Sequence, residues 1–301
     1  MAAIIMDTNE LSNILSIKMI SIGSNLSEQS ECPICHRVAN NEYLHSDGMI
    51  YRCKACSHSF YDVSRVKKEK YAAGYFSKIH RNWFKNPNIQ LFKKIDEIIR
   101  LNAGKKVLDV GCGNGDLLIY LQKQNPEMVL FGIDKAMKKG VKGITIFRQD
   151  VEGVRIKHKM DAVISLAVIE HVRNPLLFLK KLKELTRRDG KIIIMTLNED
   201  SLIYQIARRL KLLGVGFAFE RLYQSHHLNH FSRLSLRKTL NKAGFVIESS
   251  HLHNFPAAAV DFDSKGALSD FLLKQIILLL FLTGHILGRP FLQTIVCRNR
   301  S

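Results

Sequence analysis

Three alternate glycines, Gly111-Cys112-Gly113-Asn114-Gly115, end one short apolar run and open an amphipathic one. Lys106–Val110 before them has strand character, and Asp116–Lys123 after them has the spacing of a helix. Glycine at every second position lets the backbone turn sharply and bring its N–H groups close to a ligand, with a helix N-terminus behind them. The chain downstream repeats the alternation. Strands are expected at Met128–Ile133, Gly143–Arg148, Asp161–Leu166 and Lys191–Leu197, the last opened by an Asp189-Gly190 turn. A helix is expected at Pro175–Arg187, with Asn174 as N-cap and proline in its first turn. Parallel strands need crossover connections, so this alternation predicts an α/β fold with helices on both faces of a parallel sheet.

The glycines alone do not choose a ligand. The position that would complete the dinucleotide pattern G-x-G-x-x-G is Asp116. Asp109 precedes the first glycine, where a carboxylate can meet a cationic amino group. Asp134 closes the second strand, where it can accept both hydroxyls of a ribose, and Asp150 follows the third, within reach of an adenine amino group. Taken singly, each aspartate is an ordinary cap or turn residue; the ordered set is what carries information.

That set, Val107-Leu-Asp-Val-Gly-Cys-Gly-Asn-Gly115 with Gly132-Ile-Asp134, Asp161-Ala-Val-Ile-Ser-Leu-Ala-Val-Ile-Glu-His171 and Gly190-Lys-Ile-Ile-Ile-Met195, resembles the successive motifs of class I S-adenosylmethionine-dependent methyltransferases. The resemblance covers about residues 85–255. It implies a Rossmann-like seven-stranded sheet whose last strand runs antiparallel. It also implies contacts of Asp109, Gly111, Gly113, Asp134 and Asp150 with S-adenosylmethionine, and Ser165 and Leu166 near its methyl group.

Two cysteine pairs, Cys32-x2-Cys35 and Cys53-x2-Cys56, stand 17 residues apart upstream. This is the spacing of a closed four-thiolate zinc site, structural rather than catalytic because no coordination position stays open. A module this small cannot fold on apolar burial alone, so structural zinc would stabilise it directly. Six cysteines are few for a disulfide scaffold and suit a reducing compartment. No basic segment followed by a long apolar one opens the chain, so no secretory signal is expected and the expected location is cytoplasmic. The resulting plan is a tail at 1–31, a zinc ribbon at 32–61 and a basic helical linker at 62–104. A methyltransferase core follows at 105–255, with a lid insert at 201–233, and an apolar helix and final strand fill 256–301.

The formal net charge of +18 is concentrated. Residues 61–106 hold 12 basic and 4 acidic side chains, and residues 201–242 hold 8 basic and 1 acidic. Two such segments flanking one core suggest an anionic partner: a phosphorylated substrate, nucleic acid or an anionic membrane surface. Ala267–Gly288 is strongly apolar, but its unbroken part, Ile276–Leu282, is far short of the ~18 residues of a spanning helix. A buried or interfacial helix, with at most peripheral membrane contact, is expected.

On the acceptor side His171 is the first candidate base, since it follows the fourth strand at the end where open α/β sheets bind ligands. Its alternative is to orient Glu170 or cap the loop. The region resembles quinone-pathway O-methyltransferases, but their motif has a further carboxylate where this chain has Ala167, which argues against a metal-assisted mechanism like theirs. His226-His227-Leu-Asn-His230-Phe231-Ser232 precedes a helix. Ser232 as N-cap over a buried Phe231 is the plain reading, and similarity to the lids of small-molecule methyltransferases adds His227 and His230 as substrate-side candidates. A zinc ribbon on such a core resembles bacterial enzymes of cell-surface glycan or secondary-metabolite synthesis. That implies a small-molecule or lipid- or sugar-linked acceptor. Two alternatives stand beside it. Cys32-Pro-Ile-Cys35-His36 also resembles the ribbon of a guanine-modifying ribosomal RNA methyltransferase, although no aromatic-rich basic patch or Asn-Pro-Pro-Tyr motif accompanies it. A non-catalytic scaffold is opposed by the intact Asp109, Asp134 and Asp150.

Overall fold

Period-two patterning and helical patterning alternate along most of the chain, and the computed structural model resolves them into two sheets. It describes residues 29–64, 81–101, 105–137, 140–260 and 267–300. Most of the expected tail and residues 65–80 of the basic linker lie outside the described residues.

The larger sheet has seven strands. In chain order they are β5 (Lys106–Val110), β6 (Val129–Ile133), β7 (Thr145–Phe147), β8 (Met160–Leu166), β9 (Thr186–Leu197), β11 (Phe245–His253) and β12 (Leu292–Asn299). Their spatial order is β7-β6-β5-β8-β9-β12-β11. The first five run parallel, and β12 pairs antiparallel with both β9 and β11. Chain order reverses beside β5, and this switch point leaves a crevice beyond the carboxyl ends of β5 and β8.

Each face of the sheet buries one apolar layer. Leu108, Val110, Val163, Ile192 and Ile194 meet Phe178, Leu179 and Leu182 of α4 (Pro175–Leu185) and Leu236 and Leu240 of α7 (Arg233–Lys242). On the opposite face Val107, Ala162, Ile164, Ile193 and Met195 meet α2 (Ile89–Leu101) and α3 (Asp116–Gln124). Side chains of this size stabilise by about 1.5–3 kcal/mol each when fully buried. Caps set the helix starts: Asn174 accepts from Leu177 N at 3.0 Å and Ser232 from Ser235 N at 3.0 Å. The helix expected to reach Arg187 stops at Leu185. Thr186 is already extended, its hydroxyl bonded back to Leu182 O at 2.7 Å, so β9 begins five residues before the Lys191 expected from sequence.

The smaller sheet is antiparallel, in the order β1-β2-β3-β4-β10. Four strands come from the cysteine module: β1 (Gln29–Glu31), β2 (Val38–His45), β3 (Gly48–Arg52) and β4 (Ser59–Tyr61). The fifth, β10 (Asn229–His230), arrives from the lid and pairs with β4. The lid itself is α5 (Leu202–Leu212) and α6 (Phe217–Leu222). Ile50 and Tyr61 of the ribbon share a buried cluster with Tyr204, Phe219 and Tyr223 of the lid. Polar bonds close the same seam, His45 Nε2 to Glu220 O at 2.9 Å and Tyr61 OH to Tyr223 O, and beside it Lys242 Nζ of α7 donates to Ile34 O of the ribbon at 2.7 Å. Buried Glu199 accepts from Tyr223 OH at 2.8 Å and from Arg52 of the ribbon at 3.3 Å, with Arg208 at 3.6 Å.

The apolar C-terminal helix, α8 (Ala267–Ile286), packs on α5. The Cβ of Leu202 lies 3.5 Å from where a Cβ on Gly284 would stand. Among the described residues no helix is long and apolar enough to cross a membrane.

Candidate functional site

At the carboxyl end of β5 the chain makes the turn its glycines allow. Gly111, Gly113 and Gly115 have φ of 76°, 55° and 84°, the left-handed region that side chains strain to adopt. Gly111 is doubly constrained, because a Cβ there would stand 2.3 Å from Val168 Cγ2. Asp134, after β6, ties the loop: it accepts from Gly113 N at 2.9 Å and Ala136 N at 2.7 Å. Its carboxylate keeps further lone pairs for a diol. Asp109 is 3% exposed. Burial, reinforced by the negative fields of Asp134 and Asp116, pushes its carboxyl up to about 7. An acid held near neutrality in this way has a strong preference for a cationic neighbour. Asp150 is exposed and pairs with Lys135 at 2.9 Å.

These residues line one end of a cavity of about 1560 Å³, larger than the few hundred to a thousand Å³ that usually holds a small ligand. Asp109, Gly111, Gly113, Asp134, Asp150 and Leu166 all line it, and so does Asp116. Ser165 does not. It is fully buried, because β8 alternates and sends Ala162, Ile164 and Leu166 to one face and Val163 with Ser165 to the other. The side chain of Ser165 thus points away from the cavity that its neighbour Leu166 lines.

The far end of the cavity is different in character. Ile203, Ile206 and Leu210 of α5 face Leu273, Ile277 and Leu280 of α8, with Phe255, Phe291 and Trp83 of α1 (Arg81–Lys85) closing the sides. Asparagines hold this wall: Asn82 and Asn86 bond Val260 O and Ala258 O at 3.2 and 3.0 Å, and Asn88 bonds Asn254 O at 3.3 Å.

Between the two ends stand Glu170, His171, His226 and His227, all on the cavity wall. His171 Nδ1 donates to His226 O at 2.8 Å, which fixes the orientation of the ring. Buried Glu170 accepts from Thr196 OH at 2.9 Å, and burial pushes its carboxyl up to about 7 against that bond. Glu170, His171 and His227 each offer a ligand atom within 4.8 Å of the others, close enough to share a divalent cation. His230, expected on the substrate side, is elsewhere. It lies in β10, 1% exposed and 4.5 Å from the Tyr223 ring, and burial holds it well below the ordinary imidazole value. One step of strand pairing with β4 turns it away from the cavity.

In the ribbon, Cys32–Cys35 and Cys53–Cys56 form two matching knuckles. His36 N and Ser57 N bond back to Cys32 O and Cys53 O at 3.0 and 2.7 Å, and His36 and Ser57 both take a left-handed φ, 60° and 56°. The four sulfurs converge, with Cys32–Cys56 at 3.6 Å and Cys35–Cys53 at 3.3 Å. Zinc–sulfur bonds of about 2.3 Å place tetrahedral sulfurs roughly 3.8 Å apart, so the set fits zinc with little adjustment. Crowded thiols cannot all ionise unaided: the bond from Cys56 pulls Cys32 down to about 5, and the same contact pushes Cys56 up. A dication removes that conflict.

A protein family described as a methyltransferase domain matches residues 75–250, more than half of the chain. The chain belongs to the class I methyltransferase family. Among curated relatives, a ubiquinone biosynthesis O-methyltransferase of Haemophilus ducreyi is 30% identical over 140 residues, 41% of this chain and 57% of the relative. A probable (S)-tetrahydroprotoberberine N-methyltransferase 2 of Papaver bracteatum is 27% identical over 109 residues, 33% of this chain and 30% of that one. The chain thus spans about a third to three fifths of the length of such relatives. Among solved structures, magnesium protoporphyrin IX methyltransferase from Synechocystis PCC 6803, with bound S-adenosylhomocysteine, has 18% identity and a TM-score of 0.47, covering 75% of this chain and 97% of its own.

Glu170 and His226 line the cavity although neither stands among the site residues expected from the sequence. Glu170 has a signal in hindsight, an acidic residue beside the candidate base. His226 belongs to the histidine run 226–230, but the path of the lid is what brings it to the cavity.

Proposed function

We propose that this chain transfers the methyl group of S-adenosylmethionine to a small acceptor carrying a lipophilic portion. The observation that carries the proposal is the single cavity, polar at the glycine loop and apolar between α5 and α8, with the histidines and Glu170 at its waist. When bound, the cofactor supplies an electrophilic methyl on a sulfonium. Asp109 is suited to the ammonium of its methionine portion, Asp134 to its ribose hydroxyls, and the edge near Asp150 to its adenine. Leu166 and Ala167 wall the waist, where they exclude water from the transfer. His171 Nε2, with Nδ1–H pinned to His226 O, is oriented to accept a proton from an acceptor hydroxyl. The four cysteines are assigned to structural zinc, which holds the ribbon against the lid and takes no part in the reaction.

The apolar lining supports a small-molecule or lipid- or sugar-linked acceptor over a ribosomal RNA base, which would need exposed aromatic stacking surfaces on a basic groove. The test is transfer of labelled methyl from the cofactor into fractionated extract of the source cells. Label in the organic-soluble or nucleotide-sugar fraction is expected. Label in structured RNA would overturn the acceptor assignment, and absence of cofactor binding by calorimetry would overturn the activity itself.

A further inference from the structure

Amphipathic helices on a globular domain turn their apolar stripe inward, but α8 is apolar on both sides. Leu273, Ile277 and Leu280 face the chamber, while Phe271, Leu272, Leu278, Leu279, Leu282 and Ile286 project outward, with Leu279, Leu282 and Ile286 exposed by 63%, 59% and 74%. The α5–α6 turn repeats the pattern: Leu212, Leu213, Val215 and Phe217 are all more than half exposed, around the left-handed Gly214. Isolated exposed leucines need no explanation, but ten large apolar side chains on α8 and on the turn that follows its packing partner α5 do. Arg209 of α5 and Lys274 of α8 are exposed, as is Arg289 just beyond α8, while Arg208 and Lys211 of the lid are paired with Glu199 and Glu220.

We infer that α8 and the α5–α6 turn form a docking face for an anionic membrane, through which the lipophilic portion of the acceptor passes from the bilayer into the chamber. This rests on the methyl-transfer reading for the chamber's purpose and on the exposed face for the docking itself. Two features select a bilayer as the occupant. The apolar side chains are bordered by basic ones, the combination that binds anionic interfaces by insertion and charge together. The same two helices also wall the chamber, with Ile206 of one and Ile277 of the other both on its lining, so the docking face and the apolar end of the chamber share their elements. At 20 residues α8 is about 30 Å long, and among the described residues no helix is long and apolar enough to cross a membrane.

The experiment is flotation of the full-length, zinc-loaded chain with vesicles of phosphatidylcholine alone or with about a third phosphatidylglycerol. Binding to the anionic vesicles is expected to exceed binding to neutral ones by about tenfold and to weaken in high salt. Leu279→Glu with Leu282→Glu, and separately Leu213→Glu, should each reduce binding about tenfold or more while cofactor affinity by calorimetry is unchanged, which shows the variants folded. None of these three residues lines the cavity. Failure to bind vesicles of either composition overturns the inference, as does a stable dimer that the double variant dissociates, since a second copy then covers the face. Transfer of labelled methyl into the organic-soluble fraction of cell extract, dispersed in detergent micelles, is measured in parallel. If transfer survives where vesicle binding fails, only the docking is lost; if vesicle binding survives where cofactor binding fails, only the transfer reading is lost.

Discussion

Replacing Asp109 with asparagine separates stability from ligand binding. The carboxyl sits at about 7 in the folded chain, against an ordinary 3.8, because it is buried beside two other carboxylates. A folded value above the unfolded one means that the unfolded chain ionises first as pH rises. Stability is unaffected where both forms hold the proton, below about pH 4. It is lost progressively up to about pH 7 and fully lost above that, by about 4 kcal/mol at roughly 1.4 kcal/mol per pH unit. Asparagine keeps the shape and cannot ionise, so it escapes this loss. Its effects on packing do not vary with pH and cancel when two pH values are compared. The advantage of Asp109→Asn over the natural chain, in the ligand-free protein, should therefore grow by about 2 kcal/mol between about pH 5.5 and pH 8. Denaturant unfolding at the two pH values measures it. Cofactor binding should move the other way. The natural chain must release a proton from Asp109 to receive an ammonium, so its affinity should rise toward pH 7 and level off above it. The asparagine variant should bind at least about tenfold more weakly above pH 7, with a flat profile. A stability difference that does not change with pH, or a variant that binds the cofactor as tightly as the natural chain, would refute the reasoning.

Three other perturbations test separate parts of the structure. Gly111→Ala should abolish measurable cofactor binding and lower the melting temperature, since it combines a left-handed φ with a clash on Val168; adding Val168→Ala should restore part of the loss, and no restoration would mean that backbone strain alone is responsible. Arg208→Met leaves buried Glu199 with one fewer cation and should destabilise by about 3 kcal/mol in chemical denaturation, whereas a change near zero would show that Arg52 and Tyr223 suffice. His171→Gln should depress methyl transfer strongly with cofactor affinity unchanged, while His230→Phe should leave transfer nearly intact, and equal effects from the two would contradict the placement of His230 outside the cavity.

Local chemistry makes a good part of this protein legible in its sequence. The glycine turn, the strand–helix alternation and the two cysteine knuckles are each settled within about ten residues, by backbone conformation or by ligand spacing. Asn174 and Ser232 cap helices where their types predict. Boundaries are less legible: β9 starts early because Thr186 bonds back to α4, a choice that depends on pairing with Met160 across the sheet.

What tertiary structure alone decided lies between distant segments. Tyr61 meets Tyr223, Ile34 meets Lys242, and β4 pairs with β10, across 162, 208 and roughly 170 residues. These pairings join the ribbon to the lid and to α7, and the β4–β10 pairing hides His230 while His226 and His227 line the cavity. No periodicity along a chain encodes which of two neighbouring histidines a later strand pairing will bury. The same holds for the acceptor chamber, which exists only because α5 and α8, more than 50 residues apart in sequence, pack side by side. Residues that act within a turn of one another can be read in order; those whose role is a shared cavity acquire it only when the chain has closed.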